Sequence, residues 1–164
     1  MNLADLNSLE IPAFIDALGT IFEHSPWVAA AVTDQRPFSS LTTLHAAMCA
    51  AMRVALKDQQ LELINAHPEL AARISMTADS VAEQRGAGLD SLTPDEHAAL
   101  LELNRVYRAR FDFPFILAVK GKDKNDIRAA LEARVSNDLE TEFQTALEEI
   151  EKIARFRLEA LISS

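Results

Sequence analysis

Three sets of polar residues stand where they could do chemistry. Ser80, Glu83 and Gln84 fall at i, i+3 and i+4 in Ser80-Val81-Ala82-Glu83-Gln84. On a helix these three share one face and can hold a small polar ligand by directed hydrogen bonds. The same Ser-x-x-Glu spacing also makes a plain capping box. His67 opens His67-Pro68-Glu69-Leu70. Proline after it favours extended backbone at 67 and can start a helix at 68, which would set the imidazole beside a positive helix end. That position depresses a histidine pKa and suits a neutral ring that accepts or passes a proton. A histidine cap at a surface turn fits the same residues. Arg157 is the third feature. On an ideal helix it lies about 20° from Ile150 and about 60° from Ala154, inside an apolar stripe, whereas Arg155 lies off it and should be solvated. An unpaired guanidinium there would cost several kcal/mol, so it needs a partner. Alternatively the stripe ends one turn early and Arg157 reaches water on its methylene stem.

Other chemistries lack their residues. The chain has no His-Glu-x-x-His, and His24, His45, His67 and His97 are too scattered for a metal-ligand pair on one helix, so no metal site is expected. Gly86-Ala87-Gly88 follows no strand and lacks the third glycine of a dinucleotide loop. Neither a Gly-x-Ser-x-Gly nor a phosphate-loop sequence appears. The single Cys49 can form neither an internal disulfide nor a cysteine metal site, which points to a reducing compartment.

The elements that must position these groups are helical. Ser25-Pro26 and Thr93-Pro94 each read as an N-cap followed by proline at the first helical position, and Glu96 completes a capping box with Thr93. Leu100, Leu101, Leu103 and Tyr107 then predict a helix ending near Phe111. Ser40 to about Lys57 forms a second helix, with Leu41, Leu44, Met48, Met52 and Leu56 on one side. In the last helix Leu139, Phe143, Ala146, Leu147, Ile150, Ile153, Ala154 and Leu161 keep a 3.6-residue period. Phe113 to Val119, closed by Gly121, is the one segment that can be extended, and Pro114 argues against a central strand. The expected fold is all-α, a single compact domain over residues 1–164 with about seven to nine helices. At 164 residues and 49% hydrophobic content, such a domain buries roughly 70% of the surface of its unfolded chain.

Charge narrows the partners. The net charge of −9 is spread along the chain, four basic against nine acidic residues in 1–82 and twelve against sixteen in 83–164. Neither half offers a basic surface for nucleic acid. Lys120, Lys122 and Lys124 alternate with Asp123 and Asp126 and read as a solvated turn. No run approaches the roughly 18 apolar residues of a membrane span. The N-terminus lacks a secretion signal and the end Ile162-Ser163-Ser164 lacks a Ser-Lys-Leu type address, so a cytoplasmic location is expected.

Taken in order, Arg36-Pro37-Phe38, His67-Pro68-Glu69-Leu70-Ala71, Ser80-x-x-Glu83-Gln84-x-x-Ala87-Gly88-Leu89, Asn104-x-x-Tyr107-x-x-x-Phe111-x-Phe113-Pro114-Phe115-Ile116 and Ile153-Ala154-x-x-Arg157-Leu158 resemble the OHCU decarboxylases, the 2-oxo-4-hydroxy-4-carboxy-5-ureidoimidazoline decarboxylases of urate degradation. The resemblance spans residues 8 to 161. It departs at Asp112, where the family pattern carries glycine or another small residue. It implies a helical homodimer that decarboxylates a small-molecule substrate to (S)-allantoin and carbon dioxide without a cofactor. The pathway neighbours would be hydroxyisourate hydrolase and a urate-oxidising enzyme. By the same resemblance His67 is the catalytic acid, with Glu83 beside it in catalysis. Pro68, Ser80, Val81, Ala82, Glu83, Gln84, Phe115, Ile116, Leu117, Ala118, Val119 and Arg157 bind substrate. The competing expectation is a non-catalytic helical dimer module that binds a partner or a related ureido or hydantoin ligand, with Arg157 and Glu83 as a buried structural pair.

Overall fold

A computed structural model describes residues 1–70, 72 and 92–163. Ser80 to Gln84, and with them the expected polar face, lie outside the described residues. Among those described there are eight α-helices and a 3-10 turn, with no strand. The chain forms two compact units, Met1–Ala66 with Ile150–Ser164, and His67–Glu149.

The first unit holds α1 (Leu3–Ser8), α2 (Ile11–Leu18), α3 (Pro26–Ala31), the 3-10 turn Thr33–Gln35, α4 (Leu41–Arg53) and α5 (Lys57–Ala66). Phe14, Phe22, Met48, Met52, Leu63 and Ala154 are buried in its core. Arg36-Pro37-Phe38 has a structural part here. Arg36 donates to the carbonyls of Thr33 at 3.0 Å and Leu9 at 2.6 Å, and its guanidinium lies over the Phe14 ring. The Asn7 amide clasps both backbone groups of Phe38 at 2.9 Å.

Two local expectations for this unit are corrected. α4 ends at Arg53 rather than near Lys57, and Leu56 is 74% exposed instead of lying on the buried side. Gln60 meets that end, its buried Nε2 donating to the carbonyls of Met52 at 3.0 Å and Arg53 at 3.2 Å. Carbonyls at a helix end need such donors, and here a side chain supplies them. Ser25 does sit at the N-cap of α3, but its hydroxyl makes no cap bond and donates to the Glu23 carbonyl.

The second unit holds α6 (Pro94–Phe111) and α7 (Lys124–Arg134). Thr93 and Glu96 form the expected capping box of α6, each accepting from the other's backbone N–H. Asp123 and Asp126 do the same for α7, so Lys124 and Asp126 belong to a helix and not to a free turn. Lys124 reaches back to Glu96 at 2.9 Å. α8 (Leu139–Leu161) is the long last helix; its residues to Glu149 belong to the second unit and those from Ile150 to the first. No described helix is long and apolar enough to cross a membrane.

Candidate functional site

Asp112 ends α6 in the left-handed region, with φ 59° and ψ 28°, and its N–H caps the Arg108 carbonyl. The chain then runs through Phe113 to Val119 without helix or strand. Phe115, Ile116, Leu117 and Ala118 are buried, so their backbone polar groups need partners. Arg134 donates to the Ile116 carbonyl at 2.6 Å, and Glu149 accepts from the Ala118 N–H at 3.2 Å. The Lys122 N–H donates to the Val119 carbonyl at 2.9 Å, closing the turn in which Gly121 takes φ 80°. Leu117 lies between the two anchors, and its N–H and carbonyl meet no hydrogen-bond partner among the described residues.

The anchor is itself fixed. Arg134 Nε donates to Glu142 Oε1 at 2.7 Å, and their side chains are 9% and 0% exposed. Tyr107 donates to the same oxygen at 2.5 Å, and Asn137 to the other at 3.1 Å. Burial first, and then the Glu142 carboxylate, push the Tyr107 phenol far above its ordinary range, so it stays a donor. The guanidinium covers the Phe115 ring at 4.4 Å, and Tyr107 meets that ring edge-on with centroids 5.2 Å apart.

His67 is buried and follows Ala66, the last residue of α5. Pro68 and Glu69 are not helical and the next helical residue described is Leu70, so the helix expected to start at 68 does not start there, and His67 stands between the end of α5 and that later start. Pro68 is exposed beside it. Glu69 pairs with Arg108 of α6 at 3.2 Å. α6 thus meets the His67 turn through Arg108 and the Phe115 run through the adjacent Tyr107.

Arg157, in the first unit, is half-buried and paired. Its guanidinium meets Glu23 at 2.7 Å and donates to the Thr20 carbonyl at 3.1 Å. The expectation of a partner holds and that partner is Glu23; Glu83 lies outside the described residues. Arg155 is only partly solvated, bonded to Glu159 and to the Thr42 hydroxyl. Burial, and then the charge of Glu151, push the Cys49 thiol up to about 12, which keeps it protonated. Among the described residues no three His, Cys, Asp or Glu side chains could hold a metal ion.

Sequence reasoning missed Arg134, Glu142 and Glu149. A signal was present for the two acids. They are seven residues apart, so they share one flank of the α8 stripe about 20° apart, with Glu142 beside the angular position of Ile153. Arg134 carried a signal as well, standing seven residues after Ile127 and three after Leu131, the other buried positions of α7, although as the last residue of its helix it also reads as an ordinary C-terminal cation.

Comparison with known proteins matches this arrangement to a family. The model of the OHCU decarboxylase family matches residues 7–159. The chain is 46% identical over its full length to "2-oxo-4-hydroxy-4-carboxy-5-ureidoimidazoline decarboxylase" of Haloferax volcanii, covering 98% of that protein. It is 50% identical, over 97% of its length, to "Uric acid degradation bifunctional protein PucL" of Bacillus subtilis, of which it spans only 32%. A solved structure, "Crystal structure of (S)-allantoin synthase", superposes with a TM-score of 0.84 at 37% identity over 99% of this chain and 54% of that one. With the motifs in order, the helical fold shared and the match running through both units, the chain belongs to the OHCU decarboxylase family.

Proposed function

We propose that the protein decarboxylates 2-oxo-4-hydroxy-4-carboxy-5-ureidoimidazoline to (S)-allantoin and carbon dioxide in urate degradation. What carries the reading is the family match across residues 7–159, which includes every site residue named here. The substrate bears its carboxylate and a hydroxyl on one ring carbon, next to a carbon doubly bonded to nitrogen. As carbon dioxide leaves, the electron pair of the broken bond passes toward that C=N. The nitrogen of the former C=N takes a proton from solvent, and in the enol so formed the hydroxyl gives up its proton and becomes the product carbonyl while the neighbouring carbon gains a proton on one face. The substrate is its own electron sink, so the reaction asks for no cofactor.

The protein must orient the carboxylate, stabilise the developing charge and deliver the proton to one face. His67 engages the hydroxyl and carboxylate region and moves the proton, a role suited to its buried place at the end of α5. Phe115 to Val119 offer backbone donors and acceptors, among them the N–H and carbonyl of Leu117, held between the anchored Ile116 and Ala118. Pro68 stiffens the His67 turn. Ser80, Val81, Ala82, Glu83 and Gln84 bind the ureido group, with Glu83 also assisting catalysis, and Arg157 offers a planar fork. The protein works as a cytoplasmic homodimer, supplied by hydroxyisourate hydrolase acting after a urate-oxidising enzyme.

The test generates the substrate in place from urate with urate oxidase and hydroxyisourate hydrolase, then follows circular dichroism with and without this protein. Faster loss of the intermediate with an optically active (S) product is expected. Unchanged decay to racemic allantoin beside folded protein would reject this substrate and bring forward the helical ligand-binding module.

A further inference from the structure

Two acceptor oxygens of the second unit are closed to solvent and have no hydrogen-bond partner among the described residues. Asn104 lies in α6, is 6% exposed, and its Oδ1 meets no hydrogen-bond partner there. Glu69 Oε2, two residues beyond His67, is likewise closed to solvent without a hydrogen-bond partner among the described residues, while Oε1 faces Arg108. Buried acceptors of this kind are rare because each keeps the cost of leaving water without a bond in return. The two are linked by register. Asn104 and Arg108 stand at i and i+4, on one face of α6, and Arg108 is the residue that holds Glu69. Asn104 is also three residues before Tyr107, which packs on Phe115. The other buried positions of α6, Leu100, Tyr107 and Phe111, are apolar or, at Tyr107, hydrogen-bonded.

We infer that Asn104 Oδ1 and Glu69 Oε2 are a pair of substrate-binding acceptors that take N–H groups of a ureide. A ureido group carries several N–H donors close together, and two fixed acceptors on adjoining segments fit that chemistry. An apolar ligand, or an anion without N–H groups, would leave both oxygens unbonded. This inference rests on the proposed decarboxylase reading and adds to it two residues that contact the substrate.

The experiment compares wild type, Asn104→Leu, Asn104→Ala and Glu69→Gln in the coupled assay, with the melting temperature and the inhibition constant of allantoin measured for each. Leucine is close to asparagine in size and removes the unbonded acceptor, so Asn104→Leu should melt no lower than wild type. Its KM and its allantoin inhibition constant should both rise about tenfold, the loss expected for one hydrogen bond. Asn104→Ala should show the same rise, and Glu69→Gln a smaller one because an amide oxygen remains. If the wild type turns over and folded Asn104→Leu and Asn104→Ala keep both constants, the acceptor is internal and the inference is overturned alone. An inert wild type would overturn the decarboxylase reading and the inference with it.

Discussion

At Asp112 a side chain occupies backbone geometry that glycine adopts without cost. Left-handed φ costs an L residue roughly 1–2 kcal/mol, less for Asp, which tolerates it better than most. Asp112→Gly should therefore raise stability by about 0.5–1 kcal/mol, or roughly 2 °C in melting temperature for a chain of this size. Thermal unfolding followed by circular dichroism checks it, and a lower melting temperature would show that the Asp112 side chain contributes more than its backbone strain costs. The departure from the family pattern is readable in the sequence, but its geometry is not: only the φ of 59° shows why a small residue suits this place. Arg157 is legible in the same partial way. Periodicity says that it needs a partner, yet Glu23 is more than a hundred residues away in sequence, beyond the reach of any local pattern.

Elements are legible where their ends carry their own signals. Thr93, Pro94 and Glu96 state the start of α6 because cap and first turn are neighbours in sequence. The end of α4 is not, since Gln60 supplies its cap from the following helix. Gln60→Leu should leave the Arg53 carbonyl without its donor, the Met52 carbonyl keeping the Ala55 N–H, and cost about 1–3 kcal/mol in a denaturant titration. The Phe115 to Val119 run depends on α7 and α8 in the same fashion. Arg134→Met should strand the fully buried Glu142 carboxylate and cost about 3–5 kcal/mol. Adding Glu142→Leu should restore most of that stability without restoring turnover, because the Ile116 carbonyl still lacks its donor. Recovery of both together would show that the anchor serves stability alone. The Glu96 carboxylate, which joins the starts of α6 and α7, is pulled from 4.5 to about 2, chiefly by the Thr93 backbone N–H and then by Lys124. A depressed folded value means its contribution is full above the unfolded value and fades as pH falls through about 2. Glu96→Gln should thus melt below wild type at neutral pH and approach it as pH falls from about 4.5 to 2.

At the scale of the whole molecule, helical class and family membership are both within reach of the sequence. Helical periods and caps recur along it, and the motifs that mark the family extend through both units. The two-unit division is hidden, because α8 crosses from one to the other without a break in its apolar period. A relative spanning nearly the same length and a bifunctional one of which the match spans a third show similar sequence units in two settings. The central proposal is that His67 moves the proton, so the most direct measurement compares wild type with His67→Ala, reading kcat in the coupled assay and the dissociation constant of allantoin by calorimetry. A fall in kcat of about a hundredfold or more, with allantoin binding within roughly threefold of wild type, is the expected result. Equal losses of turnover and binding, or an undiminished kcat, would contradict the assignment of the proton to His67.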